Sequence, residues 1–378
     1  MSAPALMEAP AASDELHMRH ALGLAALGIN TTDPNPRVGC VLVRDGRVVG
    51  EGWHERAGGP HAEVCALESA GDAAHDATAY VTLEPCSAHG RTPPCTAALI
   101  EAGVARVVYA VADPNPKMRG GAEALREAGI EVSGGLLAAE ARELNVGFFS
   151  RHERQMPWVR VKLGASLDGR TALANGASRW ITGSRARADV QLYRARSSVV
   201  LSGAGTVLAD DPELNVRLEG AGRQPLRVVL DSGLRVPPGA RVYATGGQAA
   251  VFTVSPEPAR REALERQGVT VEALPAAHGG VDLSAALARL AAWPANEVWV
   301  EAGPRLAGAL LTANLVDELI VYLAPCLLGP DAQPLARLPL LENLEQRLSL
   351  SFHSVERLGE DLRIIARRAT RAAADTGS

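Results

Sequence analysis

Apolar positions along this chain fall into short blocks, separated by stretches of helical period, and this β and α alternation occurs twice. Ser13-Asp14 can cap a helix running to about Leu27, after which Pro34-Asn35-Pro36 turns the chain into an apolar strand over Val38–Val43. Asp45-Gly46 is a hairpin signal, and Val48-Val49 starts the partner strand. A helix-like run from His61 to Ala70, a β-rich run over Ala79–Leu83, a second helical run from Cys95 to Ala102 and strands over Val107–Ala112 and Ile130–Val132 follow. The alternation predicts an α/β layered domain over residues 13–149, closing near Phe148, with the basic polar stretch Ser150–Met156 as a linker. A second α/β unit is expected over residues 157–368, with strands at Trp158–Leu163, Val199–Ser202, Arg227–Leu230, Ala250–Val254, Glu297–Val300 and Leu319–Leu323.

Composition narrows the class. With 378 residues, 47% hydrophobic and 21% charged, the chain can build two ordinary cores and gives no case for disorder. A net charge of -5 disfavours a broad grip on nucleic acid but allows a local basic pocket for one phosphate, so a small anionic substrate fits better than a polymer. No apolar run is long enough to span a bilayer, and Met1–Ala12 lacks the basic start and apolar core of a secretory signal. Five cysteines, an odd number, do not form a disulfide framework. A cytoplasmic enzyme without membrane or nucleic-acid partners is the expectation.

The chemistry concentrates in His61-Ala62-Glu63, Pro85-Cys86 and Pro94-Cys95. One imidazole and two thiolates make a three-ligand set for Zn2+ with one position left for water, and Glu63 stays free to move protons, as in zinc-dependent nucleobase deaminases. His61 and Cys95 fall at helix starts, whose positive dipole end favours thiolate, and Cys86 follows a strand. The alternatives are an ordinary core histidine with two buried cysteines, or a closed structural site completed by Cys65, one helical turn beyond His61. Cys40 and Cys326 read as core residues.

In the second half, Val298–Gly308 passes from a strand through a Gly-Pro loop into a helix, where free N–H groups can hold a phosphate. It matches neither common nucleotide motif, and a tight turn whose glycines only permit close packing explains it equally well.

Pro34–Cys40, Pro60–Glu63, Glu84–Ser87 and Gly90–Cys95 resemble the deaminase half of the bifunctional deaminase/reductase family of riboflavin biosynthesis, and Lys162–Arg170, Thr206–Pro212 and Trp299–Pro304 resemble its reductase half. The resemblance spans nearly the whole chain. It implies a cytidine-deaminase-like three-layer domain followed by a dihydrofolate-reductase-like α/β domain, acting in turn on one phosphorylated pyrimidine. The implied first step removes the 2-amino group of 2,5-diamino-6-ribosylaminopyrimidinone 5'-phosphate hydrolytically, with Glu63 catalytic. The second uses NADPH to reduce the ribosyl C1' of the aminouracil. Implied deaminase substrate contacts are Asn35, His54, Arg91, Asp113 and Asn115, although turn hydrogen bonding also explains Asn35 and Asn115, and simple solvation explains His54 and Arg91. Implied reductase substrate contacts are Ser178, Arg194, Leu214, Arg217 and Glu301. Implied cofactor contacts are Gly164, Trp180, Thr206, Asp210, Ser232 and the segment Gly303, Pro304, Arg305, Leu306, Ala307, Gly308 and Ala309. Asp210 and Lys162 are candidate proton donors. The chain departs from the family at Ala88, where a histidine is usual, and His89 follows it. A homo-oligomer, dimer or tetramer, is expected by the same resemblance. Two other readings stay open: a single-activity zinc deaminase with a ligand-binding or oligomerising C-terminal half, and a zinc-stabilised protein with no activity.

Overall fold

The computed structural model describes residues 12–89 and 93–368. The chain divides after Arg154 into two compact units. The first runs α1 (Ala12–Leu27), β1 (Gly39–Arg44), β2 (Arg47–Trp53), α2 (Ala62–Ala70), β3 (Thr78–Val81), α3 (Cys95–Glu101), β4 (Arg106–Tyr109), α4 (Gly121–Glu127), β5 (Glu131–Gly134), α5 (Ala138–Leu144) and α6 (Val146–Arg154). Its sheet has the order β2-β1-β3-β4-β5, with β1 antiparallel to both neighbours and β3, β4 and β5 parallel. The β1–β2 turn is made by Asp45 and Gly46, both at positive φ (51° and 72°), as a two-residue hairpin of matching twist requires.

Both faces of this sheet are covered. Gly39 sits where a Cβ would lie 2.0 Å from the carbonyl oxygen of Ala21 in α1, and Gly52 where one would lie 2.4 Å from the nitrogen of Ala66 in α2. Gly52 is paired with Cys40, the neighbour of Gly39, so the two glycines point to opposite faces. Three layers result. Asp14 does not cap α1, which begins at Ala12; it is buried instead, accepting from Tyr80 Oη at 2.6 Å and Arg106 Nη2 at 2.9 Å, and so ties α1 to β3 and β4.

The expected linker at Ser150–Met156 is helix as far as Arg154, and the first unit therefore runs past residue 149. Phe148, Phe149 and Ser150 are buried, Arg151 Nη2 donates to the Pro34 carbonyl at 3.2 Å, and Arg142 Nη2 pairs with Glu153 at 2.6 Å. The basic residues that looked like a solvated connector are anchors, and they suit a helix C-terminus.

The second unit runs β6 (Trp158–Ser166), β7 (Arg170–Ala172), α7 (Ser184–Arg196), β8 (Val199–Gly203), α8 (Ala204–Asp210), β9 (Leu226–Leu230), α9 (Arg241–Ala244), β10 (Ala249–Thr253), α10 (Pro258–Glu265), β11 (Thr270–Ala273), β12 (Ala276–Ala277), β13 (Gly280–Val281), α11 (Leu283–Ala292), β14 (Glu297–Glu301), α12 (Pro304–Thr312), β15 (Glu318–Ala324), β16 (Gln333–Pro334), β17 (Leu350–Leu358) and β18 (Asp361–Arg368). Nine of these strands form one sheet in the order β11-β10-β9-β8-β14-β6-β15-β18-β17, parallel except for β18, which is antiparallel to β15 and β17. Apolar clusters fill both sides of the sheet. Arg160 is buried in β6 opposite Glu318; its guanidinium is held by Glu318 and Glu297, which also take Arg367 and Arg196. Buried charge is tolerated here because each partner is paired. The β17–β18 hairpin was not expected from the sequence.

Candidate active sites

The first site is assembled at helix starts and strand ends. His61 is the N-cap of α2, Pro94 is the N-cap of α3 and places Cys95 in its first turn, and Cys86 lies beyond the end of β3. His61 Nδ1, Cys86 Sγ and Cys95 Sγ lie within 4.8 Å of one another, with His61 Nδ1 3.1 Å from Cys95 Sγ and 3.7 Å from Cys86 Sγ. Among the described residues this is the one such cluster, and Cys65 is outside it, so the closed four-ligand alternative is not supported. The hydrogen bond from Cys95 pulls the Cys86 thiol well down, while the same contact pushes Cys95 up. Two thiols and an imidazole at this spacing suit Zn2+. Cys40 is fully buried in the core as expected, whereas Cys326 is half-exposed.

Glu63 follows His61 in the first turn of α2 and is buried. Burial, then the nearby Cys86 charge, raises its carboxyl above the usual range, which suits a group that must both accept and return a proton. His54 is buried too, so it is no surface residue: its Nδ1 is 2.8 Å from the Pro60 carbonyl and its Nε2 3.0 Å from Asn35 Nδ2. Those partners require a proton on Nδ1 and a lone pair on Nε2, a neutral ring, and burial lowers its pKa accordingly. The His54 and His61 rings meet edge to face at 5.5 Å. The segment bearing Asn35 is held from behind by Arg151 and by Asn145, which accepts from Arg37 N–H at 2.8 Å and donates to Arg37 O at 2.9 Å.

Asp113 is buried, and burial pushes its carboxyl up to about 6; its Oδ1 accepts from Asn115 N–H at 2.8 Å. Arg91 lies outside the described residues. Glu84 escaped the sequence reading as anything but part of a motif. It is buried, with Oε2 accepting from Asp113 N–H at 3.2 Å and Oε1 from Ala122 N–H at 3.1 Å. A carboxylate two residues before a metal ligand was the available signal.

In the second unit, several anticipated residues gather at the carboxyl ends of the strands, where open α/β sheets bind ligands. Glu301 ends β14, opposite Lys162 of β6. Arg194 of α7, itself buried, grips the half-buried Glu301 bidentately, Nε to Oε1 at 2.5 Å and Nη2 to Oε2 at 3.0 Å, and spends Nη1 on the Asn215 carbonyl at 2.8 Å. Burial would raise the Glu301 carboxyl, but Arg194 outweighs it, aided by Lys162 and the Trp299 indole N–H at 2.9 Å, and holds it at about 2. Trp299, two residues earlier on the same face of β14, was missed in the sequence; it stacks on Tyr193 at 4.8 Å.

Gly164 stands where a Cβ would come within 3.5 Å of Thr182 and 3.8 Å of Lys162 Nζ. Thr206 Oγ1 accepts from Gly303 N–H at 3.1 Å, joining α8 to the start of α12. Pro304 opens that helix. Ala307 and Gly308 face the core, and Ala307 N–H already donates to the Gly303 carbonyl, so only the first turn, with Arg305 and Leu306, is placed to offer N–H groups. Gly308 serves packing: a Cβ there would lie 2.0 Å from the Arg337 carbonyl oxygen. Ala309 is exposed on the helix flank.

Trp180 is 71% exposed, with the Arg187 guanidinium 4.5 Å from its ring centre. The Asp210 carbonyl accepts from Arg179 at 3.0 Å. Ser232 Oγ accepts from Val281 N–H at 3.1 Å. Ser178 is half-buried between β7 and α7, and Leu214 is buried at positive φ. Arg217 is exposed, its Nη1 3.6 Å from Glu213.

Comparison with known proteins agrees with both halves. Residues 11–111 match the cytidine and deoxycytidylate deaminase zinc-binding region, and residues 157–364 match the RibD C-terminal domain. The riboflavin biosynthesis protein RibD of Escherichia coli is 51% identical over 92% of this chain and 98% of its own length, and that of Aquifex aeolicus 42% identical over 94% and 98%. Among solved structures, Acinetobacter baumannii RibD aligns with a TM-score of 0.89 at 42% identity, covering 95% of this chain and 99% of its own. A Thermotoga maritima protein described as a diaminohydroxyphosphoribosylaminopyrimidine deaminase/5-amino-6-(5-phosphoribosylamino)uracil reductase aligns with a TM-score of 0.84 at 34% identity, covering 94% and 99%. With a zinc-type donor set in one unit and a charge-clamped carboxylate at the strand ends of the other, the chain belongs to the RibD family of bifunctional deaminase/reductases of riboflavin biosynthesis.

Proposed function

We propose that the first unit hydrolyses the 2-amino group of 2,5-diamino-6-(5-phosphoribosylamino)pyrimidin-4-one and that the second reduces the ribosyl side chain of the resulting 5-amino-6-(5-phosphoribosylamino)uracil to ribityl. The observation that carries this reading is the three-donor cluster His61, Cys86 and Cys95 with the buried, non-ligating carboxyl of Glu63 beside it. Zn2+ held there lowers the pKa of a water and so supplies a nucleophile near neutral pH. Glu63 takes the proton that the water loses and returns it to the departing amino nitrogen, so that ammonia leaves and a carbonyl remains. Asn35, neutral His54, Asp113 and Asn115 are the groups we assign to hold the ring, and Arg91 to the substrate phosphate.

For reduction, bound NADPH would supply the hydride for C1', and the protein's part would be to deliver a proton to the ring oxygen as the C1'–O bond opens. For that proton we favour Lys162, beside Glu301, over Asp210, which is exposed and whose carbonyl takes the Arg179 guanidinium. Of the two arginines assigned to substrate, Arg217 has the freer guanidinium for a phosphate, since Arg194 has both edges of its fork engaged. Ser178 and Leu214 complete the assigned substrate contacts. For the cofactor we assign Trp180 as a flat platform, with Gly164, Thr206, Asp210, Ser232 and the first turn of α12.

Among the described residues no helix is long and apolar enough to cross a membrane, and a cytoplasmic enzyme is the reading we adopt. A homo-oligomer is proposed as well: the edge strand β17 exposes Phe352 (76%), Val355 and Leu350, an unusual load of apolar surface for a free sheet edge, and size-exclusion chromatography with light scattering at several concentrations tests it.

The deciding experiment supplies the diaminopyrimidine ribosyl phosphate to purified protein and follows ammonia and NADPH absorbance together. Both signals in the wild type, both lost in Glu63→Ala, and NADPH oxidation restored by the aminouracil, support two sequential sites. Ammonia without NADPH oxidation overturns the second step, and neither signal from zinc-loaded protein overturns both.

A further inference from the structure

The loop that follows β3 and the loop that follows β4 carry different parts of the deaminase site, Cys86 on one and Asp113 with Asn115 on the other. Their joint is one side chain. Glu84 Oε2 accepts from Asp113 N–H at 3.2 Å and Oε1 from Ala122 N–H at 3.1 Å, while its own N–H donates to the Val111 carbonyl at 2.9 Å. Ala122 is in the first turn of α4, so the carboxylate lies at the positive end of that helix and accepts one of its unpartnered donors, a cap supplied from another segment. The contact is reinforced on either side: Ser87 Oγ donates to the Arg119 carbonyl at 2.5 Å, and the Pro85 carbonyl oxygen sits 1.7 Å from where a Cβ on Gly121 would be. Arg119 Nε in turn donates to the Asp113 carbonyl at 2.8 Å, and Asp113 fixes Asn115. These struts of the Asp113–Asn115 segment lead back to residues 84–87.

We propose that Glu84 is a positioning residue for deamination: it does not touch the ring, but sets the distance between the metal-ligand loop and the Asp113–Asn115 segment, and so decides how well the pyrimidine is held. The inference rests on the proposed deaminase function. Glu84→Gln keeps one carbonyl oxygen but cannot accept both N–H groups, because its amide nitrogen is a donor. Losing one such bond to a charged acceptor raises the deaminase KM by about tenfold or more, with kcat changed far less.

The test compares wild type, Glu84→Gln, Glu84→Asp, Asp113→Ala and the Glu84→Gln/Asp113→Ala double variant for deaminase KM and kcat, zinc content, and NADPH oxidation with the aminouracil. Amide hydrogen exchange at Asp113 and Ala122 is measured alongside. The proposal expects a raised KM with full zinc and unchanged reductase rates in Glu84→Gln, faster exchange at both amides, and a double variant no worse in KM than Asp113→Ala alone. A wild-type KM in Glu84→Gln, a loss of zinc that accounts for the activity lost, or additive KM effects in the double variant would each overturn it. Absence of ammonia release from the wild type is a different result, which removes the deaminase reading itself.

Discussion

Arg194 and Glu301 close on each other through two hydrogen bonds at 2.5 and 3.0 Å, with the arginine 7% exposed. A buried ion pair is expensive to break from one side, because the remaining charge loses its partner without regaining water. Arg194→Ala should therefore destabilise the protein by about 3–5 kcal/mol, whereas Arg194→Met combined with Glu301→Gln should recover much of that loss and still fail to oxidise NADPH with the aminouracil. Thermal unfolding and a reductase assay on the three proteins separate these effects.

Asp113 makes a pH-dependent prediction. Its folded carboxyl is raised to about 6 by burial, above the ordinary 3.8, so the folded state binds its proton more tightly than the unfolded chain does. That contribution to stability is fully present below the ordinary value and is lost as pH rises through about 6. Asp113→Asn, permanently neutral, should be more stable than wild type at pH 8 by on the order of 1–3 kcal/mol and equal to it near pH 3.5. Bound zinc adds positive charge nearby and moves this window down, so denaturant curves on chelator-treated protein are the measurement.

Glu63→Ala should lower deaminase turnover by about 10²- to 10⁴-fold while zinc content stays at the wild-type level, since the carboxyl is outside the donor cluster. Chelation should abolish the same activity. Neither treatment should slow NADPH oxidation when the aminouracil is supplied directly.

Trp180 is so exposed that Trp180→Leu should change stability by no more than about 0.5 kcal/mol. If its ring is the cofactor platform, NADPH will quench its fluorescence in the wild type, and the substitution will raise the KM for NADPH without altering that for the aminouracil.

Much of this architecture was legible in the sequence because hydrophobic blocks of strand length are a local signal. The strands β8, β9, β10, β14 and β15 lie within a residue or so of the blocks that announced them. The metal cluster was legible because its chemistry admits few residue types. What escaped was set by distant contacts. Ser150–Arg154 reads as a polar connector until Phe148 and Phe149 are seen in the core and Arg151 on the Pro34 carbonyl. Arg194 and Glu301 are each implied as substrate contacts by the resemblance, but nothing local announces that two residues so far apart along the chain grip each other. The β17–β18 hairpin has most of its apolar side chains in the open on β17, so it lacks the in-and-out alternation that marks a half-buried strand.

Gly121 shows how far the metal centre reaches into the rest of the chain. Its missing side chain is what lets the start of α4 lie on the Pro85 carbonyl, next to Cys86. A single methyl there must push the ligand loop or the helix aside, so in a saturation screen for deamination position 121 should tolerate substitution as poorly as the zinc ligands, though it binds nothing. Variation among natural sequences would then be constrained at a site no inspection of ligands would nominate, and purifying selection on the deaminase would extend along the backbone as well as over its reactive groups.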